Sequence, residues 1–150
     1  IFTGDKNSLP ADRESLFLAN VKSVSALSPD LKEKNTLQFA MKTRLKLFWR
    51  PAQLKEADAL GAYEKITFHR QGDTLIANNP TPFYVSFGEL SVGGKSVPVK
   101  ETKTTPGAIS MMVAPFSKQS FALPKAANGA VTWTAINDFG AQTPQRKQAL

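Results

Sequence analysis

A single histidine and the absence of cysteine limit the chemistry open to this 150-residue chain. Without thiolates there is no cysteine nucleophile, no disulfide staple and no thiolate metal site. With one imidazole, a transition-metal site is not expected. His69 sits in "ITFHRQG", a strand-like run beside Arg70. A Ser-His-Asp triad would have to use it, yet no G-x-S-x-G turn accompanies it. It reads as an ordinary strand residue. The stretch Gly93-Gly94-Lys95-Ser96 looks like the close of a phosphate loop. The glycine that motif needs is replaced by Glu89, and Pro98 spoils the helix that should follow. A hairpin turn is the better reading. Asp12, Glu14, Glu89 and Asp138 could pair as acid and base, but nothing in their spacing asks for it. The expectation is no catalytic residue, no metal, no cofactor and no enzyme.

What remains is charge. Nineteen Lys and Arg against twelve Asp and Glu leave the chain at +7. Such a surface favours nucleic acid, anionic lipid or carboxylates, and solubility alone is the plainer account. Cations gather in "NTLQFAMKTRLKLFWRP", residues 35–51. Leu37, Phe39, Met41, Leu45, Leu47 and Trp49 occupy odd positions, with Thr43 among them. Lys42, Arg44, Lys46 and Arg50 occupy even ones. Period two predicts a strand. Leu37, Met41, Leu45 and Phe48 also fit a helical repeat, but a helix would leave Phe39, Leu47 and Trp49 off its apolar stripe. As a strand, Leu37–Arg50 would span about 45 Å, against about 17–20 Å for an ordinary strand.

The elements that must position this segment are mostly strands. Ten prolines and nine glycines cut the chain into short runs, which predicts an all-β fold. The expected strands are Leu16–Ser25, Thr36–Arg50, Ile66–Arg70, Thr74–Asn78, Phe83–Ser91, Ser96–Lys100, Ser110–Ala114, Ser120–Leu123 and Val131–Asn137. After Pro51, residues 52–64 turn rich in Ala, Leu, Glu and Lys, which suggests a linker, one or two helical turns and a domain boundary. Seven short strands in about 90 residues is the pattern of an immunoglobulin-like sandwich. No run of about 18 apolar residues exists, so no membrane-spanning helix is expected.

Several motifs then become recognisable. "LPADRESLFLANVKSV", residues 9–24, resembles the "DRESLFWLNV" signature of PapD-like periplasmic pilus chaperones, with Leu18 where that signature has tryptophan. "VKSVSALSPD" lacks the usual proline pair after that strand. "LQFAMKTRLKLFWRP", residues 37–51, is similar to the long last strand of that family's first domain. "NNPTPFYVSFGEL", "MVAPFS" and "VTWTAINDFGAQTP" resemble second-domain strands, in the expected order.

The resemblance implies two immunoglobulin-like domains: residues 1–51 as the C-terminal part of the first, 52–55 as linker and 56–150 as the second. It implies that the strands before Ile1, and the N-terminal arginine among them, are missing from this chain. It implies a chaperone of fimbrial subunits in the periplasm that works without ATP. Leu37, Phe39 and Met41 would be donated into an unfinished subunit, and Lys46 would hold that subunit's terminal carboxylate. Glu14, Arg50 and Asp138 match the family's interdomain salt-bridge network. The short loop from about Ser25 to Asn35 is similar to that of chaperones of rod-forming fimbriae. Expected partners are fimbrial subunits and an outer-membrane usher, with no nucleic acid and no membrane insertion. A partial sandwich could also pair with a second copy by strand exchange. Two alternatives stand beside this reading. A basic sandwich could bind nucleic acid, with Phe48 and Trp49 stacking bases beside Lys46 and Arg50. A structural fimbrial subunit is the other.

Overall fold

The computed structural model of the protein describes residues 8–24, 40–100 and 107–150. Leu37, Phe39 and the Ser25–Asn35 loop lie outside the described residues. The chain divides into two compact units, one of residues 15–50 and one of residues 1–14 with 51–150.

The first unit is a two-stranded antiparallel ribbon of β1 (Ser15–Val24) and β2 (Ala40–Trp49). Its register runs without a break from Ser15 opposite Trp49 to Val24 opposite Ala40. Residues opposite one another share a face. Odd-numbered Phe17, Val21, Met41, Leu45, Leu47 and Trp49 therefore fall together on one face. Even-numbered Lys22, Lys42, Arg44 and Lys46 fall on the other. The two-residue period of the sequence is realised as a strand, and the helical alternative is set aside.

The second unit is a sandwich. After Pro51 come α1 (Glu56–Leu60) and a 3-10 turn at Ala62–Lys65. One sheet contains β3 (Thr67–Gln71), β4 (Thr74–Asn79) and β8 (Ser117–Ala122), in that order. The other runs β10 (Arg146–Gln148), β9 (Val131–Ile136), β5 (Val85–Val92) and β6 (Lys95–Ser96), with β7 (Met112–Val113) also paired to β5. Alternation along β4 buries Leu75 and Ala77, and along β9 it buries Val131, Trp133 and Ala135. Phe68, Phe87, Phe121 and Trp133 meet in the core, with the Phe68 and Trp133 rings 4.9 Å apart. The Trp133 indole N–H donates to the Tyr63 carbonyl at 3.0 Å, so a buried donor is satisfied and the 3-10 turn is tied to the core.

Two expected strands are corrected. Only Ser96 of Ser96–Lys100 lies in a strand. Val97 still donates to the Leu90 carbonyl at 2.8 Å, but Pro98 has no N–H to continue the ladder. Ser110 closes a helical turn, α2 (Gly107–Ser110), and pairing with β5 is confined to Met112 and Val113. β10 was not expected, because "RKQ" is polar and too short to show a period. Gly93 and Gly94 do form the hairpin turn between β5 and β6, at φ +55° and +78°. A Cβ on Gly93 would lie 2.0 Å from the Asn128 carbonyl oxygen, so only glycine fits.

The corner from Asn79 to Phe83 is built on one buried amide. Asn79 Nδ2 donates to the carbonyls of Phe83 at 2.7 Å and Ala114 at 3.0 Å. Its Oδ1 accepts from the Thr81 N–H at 3.0 Å and the Thr81 hydroxyl at 2.7 Å. This side chain supplies what the two prolines cannot.

Candidate functional site

Strand β2 carries Met41 and Lys46, two of the four expected binding residues, while Leu37 and Phe39 lie outside the described residues. Lys46 stands opposite Leu18, on the face it shares with Leu16 and Phe48. That apolar setting half-buries the side chain, and burial pushes its ammonium below the ordinary lysine value. Arg44, one alternate position away, donates Nε–H to Asn20 Oδ1 at 2.9 Å across the strand pair. Met41 is on the opposite face and is 71% exposed. The edge of β2 away from β1 has no strand partner among the described residues. Such an edge presents alternate backbone N–H and C=O groups to any extended segment that reaches it.

Glu14 and Asp138 come to one end of the sandwich. Glu14 is 4% exposed, and its Oε2 accepts the Tyr84 backbone N–H at 2.7 Å. Its own N–H donates to the Pro82 carbonyl at 2.9 Å. Tyr84 precedes β5, and Ser86 pairs with Ile136 at the end of β9. Asp138 follows in an exposed turn. The Asn137 carboxamide oxygen accepts the N–H groups of Phe139 and Ala141 at 3.0 Å each. Gly140 takes φ +77° to close that turn. Burial, and then the Glu14 charge, push the Tyr84 hydroxyl above its ordinary value. Arg50 is half-exposed and belongs to the ribbon unit. The backbone grip on Glu14 escaped the sequence reading, since nothing local links residue 14 to residues 82 and 84.

Asp12 is held by Arg13 at 2.8 Å on the surface, and Glu89 lies in β5, where its N–H takes the Thr134 hydroxyl as acceptor at 3.0 Å. Among the described residues no three His, Cys, Asp or Glu gather as metal ligands. No helix of the described residues is long and apolar enough to cross a membrane. His69 is an exposed β3 residue opposite Ile76.

Comparison with known families decides where this architecture belongs. A model of the N-terminal domain of pili and flagellar-assembly chaperones matches residues 1–55, and one of the C-terminal domain of the pili assembly chaperone PapD matches residues 61–147. The chain belongs to the PapD family of pilus assembly chaperones. Among its relatives is the probable fimbrial chaperone protein ElfD of Escherichia coli, 40% identical over 139 residues, covering 91% of this chain and 54% of the relative. Another is the chaperone protein FimC of Escherichia coli, 37% identical over 145 residues, covering 97% of this chain and 55% of the relative. The chain thus spans about half the length of the curated relatives it matches. The E. coli chaperone DraB is similar in structure, with a TM-score of 0.74 and 33% identity over 99% of this chain and 64% of that one. So is a complex of the Salmonella enterica SafA pilin with the SafB chaperone, with a TM-score of 0.77 and 27% identity over 100% of this chain and 65% of that one. Family and fold agree on immunoglobulin-like β-sandwich architecture.

Proposed function

We propose that this chain acts in a periplasmic chaperone for fimbrial subunits, which it binds without ATP by lending strand β2. The observation that carries the reading is the outer edge of β2. It lacks a strand partner among the described residues, and the same strand bears Lys46 and an exposed Met41. A subunit segment adds along that edge through main-chain hydrogen bonds. Leu37, Phe39 and Met41 enter the subunit's apolar groove, each contributing about 1.5–3 kcal/mol if fully buried. Lys46 binds the subunit's terminal carboxylate and fixes the register. A one-residue slip would turn Gln38 and Lys42 inward instead. Membership of a family of pilus chaperones, and the likeness to a chaperone in complex with a pilin, support this over the nucleic-acid and structural-subunit readings.

Glu14, Arg50 and Asp138 form the interdomain network in this reading. A forked guanidinium can serve two carboxylates at once. An outer-membrane usher is the second partner, and strand exchange is the route by which two copies would associate.

The test is co-expression of the native polypeptide with a fimbrial subunit in the periplasm. Lys46→Ala is expected to lower recovery of the complex at least about tenfold, as loss of one charge-assisted bond requires, with an unchanged thermal transition. Undiminished recovery would overturn the anchor.

A further inference from the structure

The even-numbered face of the ribbon has more charge than a carboxylate anchor needs. Lys22 and Lys42 are both exposed and stand directly opposite each other. Like charges so placed destabilise a strand pair. The next pair along is Asn20 with Arg44, whose Nε–H is given to Asn20, and the next is Leu18 with Lys46. Lys42, Arg44 and Lys46 therefore recur at every second residue, roughly 6.8 Å apart. Residues 15–24 and 40–50 contain no Asp or Glu. The ribbon's two strands thus bring no carboxylate of their own to this row.

We infer that the face bearing Lys22, Lys42, Arg44 and Lys46 is a docking surface for a partner strand with acidic side chains at alternate positions. The inference rests on the strand-lending reading above. A segment paired to the outer edge of β2 continues the sheet, so its side chains opposite Lys42 and Lys46 project from this same face. Their Cβ atoms come within about 5.5 Å of those of the lysines. Arg44, which shares the face, reaches the same row of partner side chains on the diagonal. The cations are spaced as a strand is spaced and lie beside backbone groups that a strand can bond. Single-stranded nucleic acid would want a series of aromatic platforms, and Phe48 is the only aromatic on this face of β1 and β2. Complementary charge here would speed encounter and penalise segments that carry lysine in the same register.

The probes are short labelled peptides with a free C-terminal carboxylate, one alternating Val with Glu and one alternating Val with Gln. The native polypeptide is expected to bind the Glu peptide at least about tenfold more tightly at low salt, with the gap closing as salt rises. In the double variant Lys22→Gln, Lys42→Gln the gap should shrink below about threefold. Lys42→Glu should instead gain preference for a Val–Lys peptide, a result that loss of folding cannot produce. Equal binding of the Glu and Gln peptides by the native protein, or no binding of either, overturns the inference. So does tighter binding of oligothymidylate than of the Glu peptide. Amidating the peptides tests the anchor separately. If amidation changes nothing, the Lys46 reading fails, while the Glu-to-Gln ratio still reports on the row.

Discussion

At the scale of the residue, Lys46 carries two opposed effects. Burial lowers its pKa in the folded chain, so the folded state holds that proton less tightly than the unfolded state. The ammonium therefore costs stability below the lowered pKa, and stability recovers as pH rises from there toward the ordinary lysine value. A bound carboxylate acts the other way and favours the ammonium. Binding of a carboxylate-ended segment is thus expected at full strength below the lowered pKa, weakening as pH rises through it. Calorimetric titration at a series of alkaline pH values would show this, and Lys46→Ala should give a weak, flat profile. Asn79 supports a second expectation. Asn79→Ala takes the amide partner from the buried Thr81 N–H and Phe83 carbonyl, while the Ala114 carbonyl keeps the Ser117 hydroxyl at 2.8 Å, and each buried group left without a partner costs about 1–3 kcal/mol. Urea unfolding should show a loss of about 3 kcal/mol or more. The sequence marks Lys46 plainly, because its parity and its neighbours are local. It marks Asn79 only as a turn residue. That its amide is buried and bonded to Ala114, 35 positions away, is set by tertiary packing.

At the scale of the element, the ribbon follows directly from the sequence period. Alternation over β2 places Lys42, Arg44 and Lys46 on one face and Met41, Leu45, Leu47 and Trp49 on the other, and the register runs unbroken over all ten residues. Donation makes a parity-specific expectation. Phe39→Glu should lower recovery of the subunit complex at least about tenfold, whereas Gln38→Ser, of the opposite parity in the sequence, should leave it near the native level. Periplasmic co-purification compares the two. The Gly93–Gly94 turn gives a second contrast. An added Cβ at Gly93 meets the Asn128 carbonyl, while at Gly94 nothing lies within 4 Å. Gly94→Ala should cost about 1–2 kcal/mol for its left-handed backbone alone. Gly93→Ala should cost clearly more, as read by thermal unfolding. Elements with strong periods or paired glycines were legible. Those without a period were not: β10 is three polar residues, and α2 is a single turn.

At the scale of the whole molecule, an excess of +7 favours anionic partners without saying which, and solubility alone would also account for it. The structure concentrates part of that charge as a row on one face of one strand. The sandwich of β3–β10 holds an aromatic core, a buried glutamate clamped by Tyr84 and a satisfied asparagine corner, all the mark of a scaffold. Composition revealed the strand-rich class, and motif order revealed the family. The long-range ties could not be read, because Glu14 meets Tyr84 across 70 positions and Phe68 meets Gln148 across 80. The central claim is that β2 lends its outer edge to an unfinished neighbour. Hydrogen exchange of the native polypeptide, alone and bound to a fimbrial subunit, tests it most directly. The β2 amides that do not bond β1 should become strongly protected in the complex. A complex that forms while those amides exchange as fast as in the free protein would contradict the account.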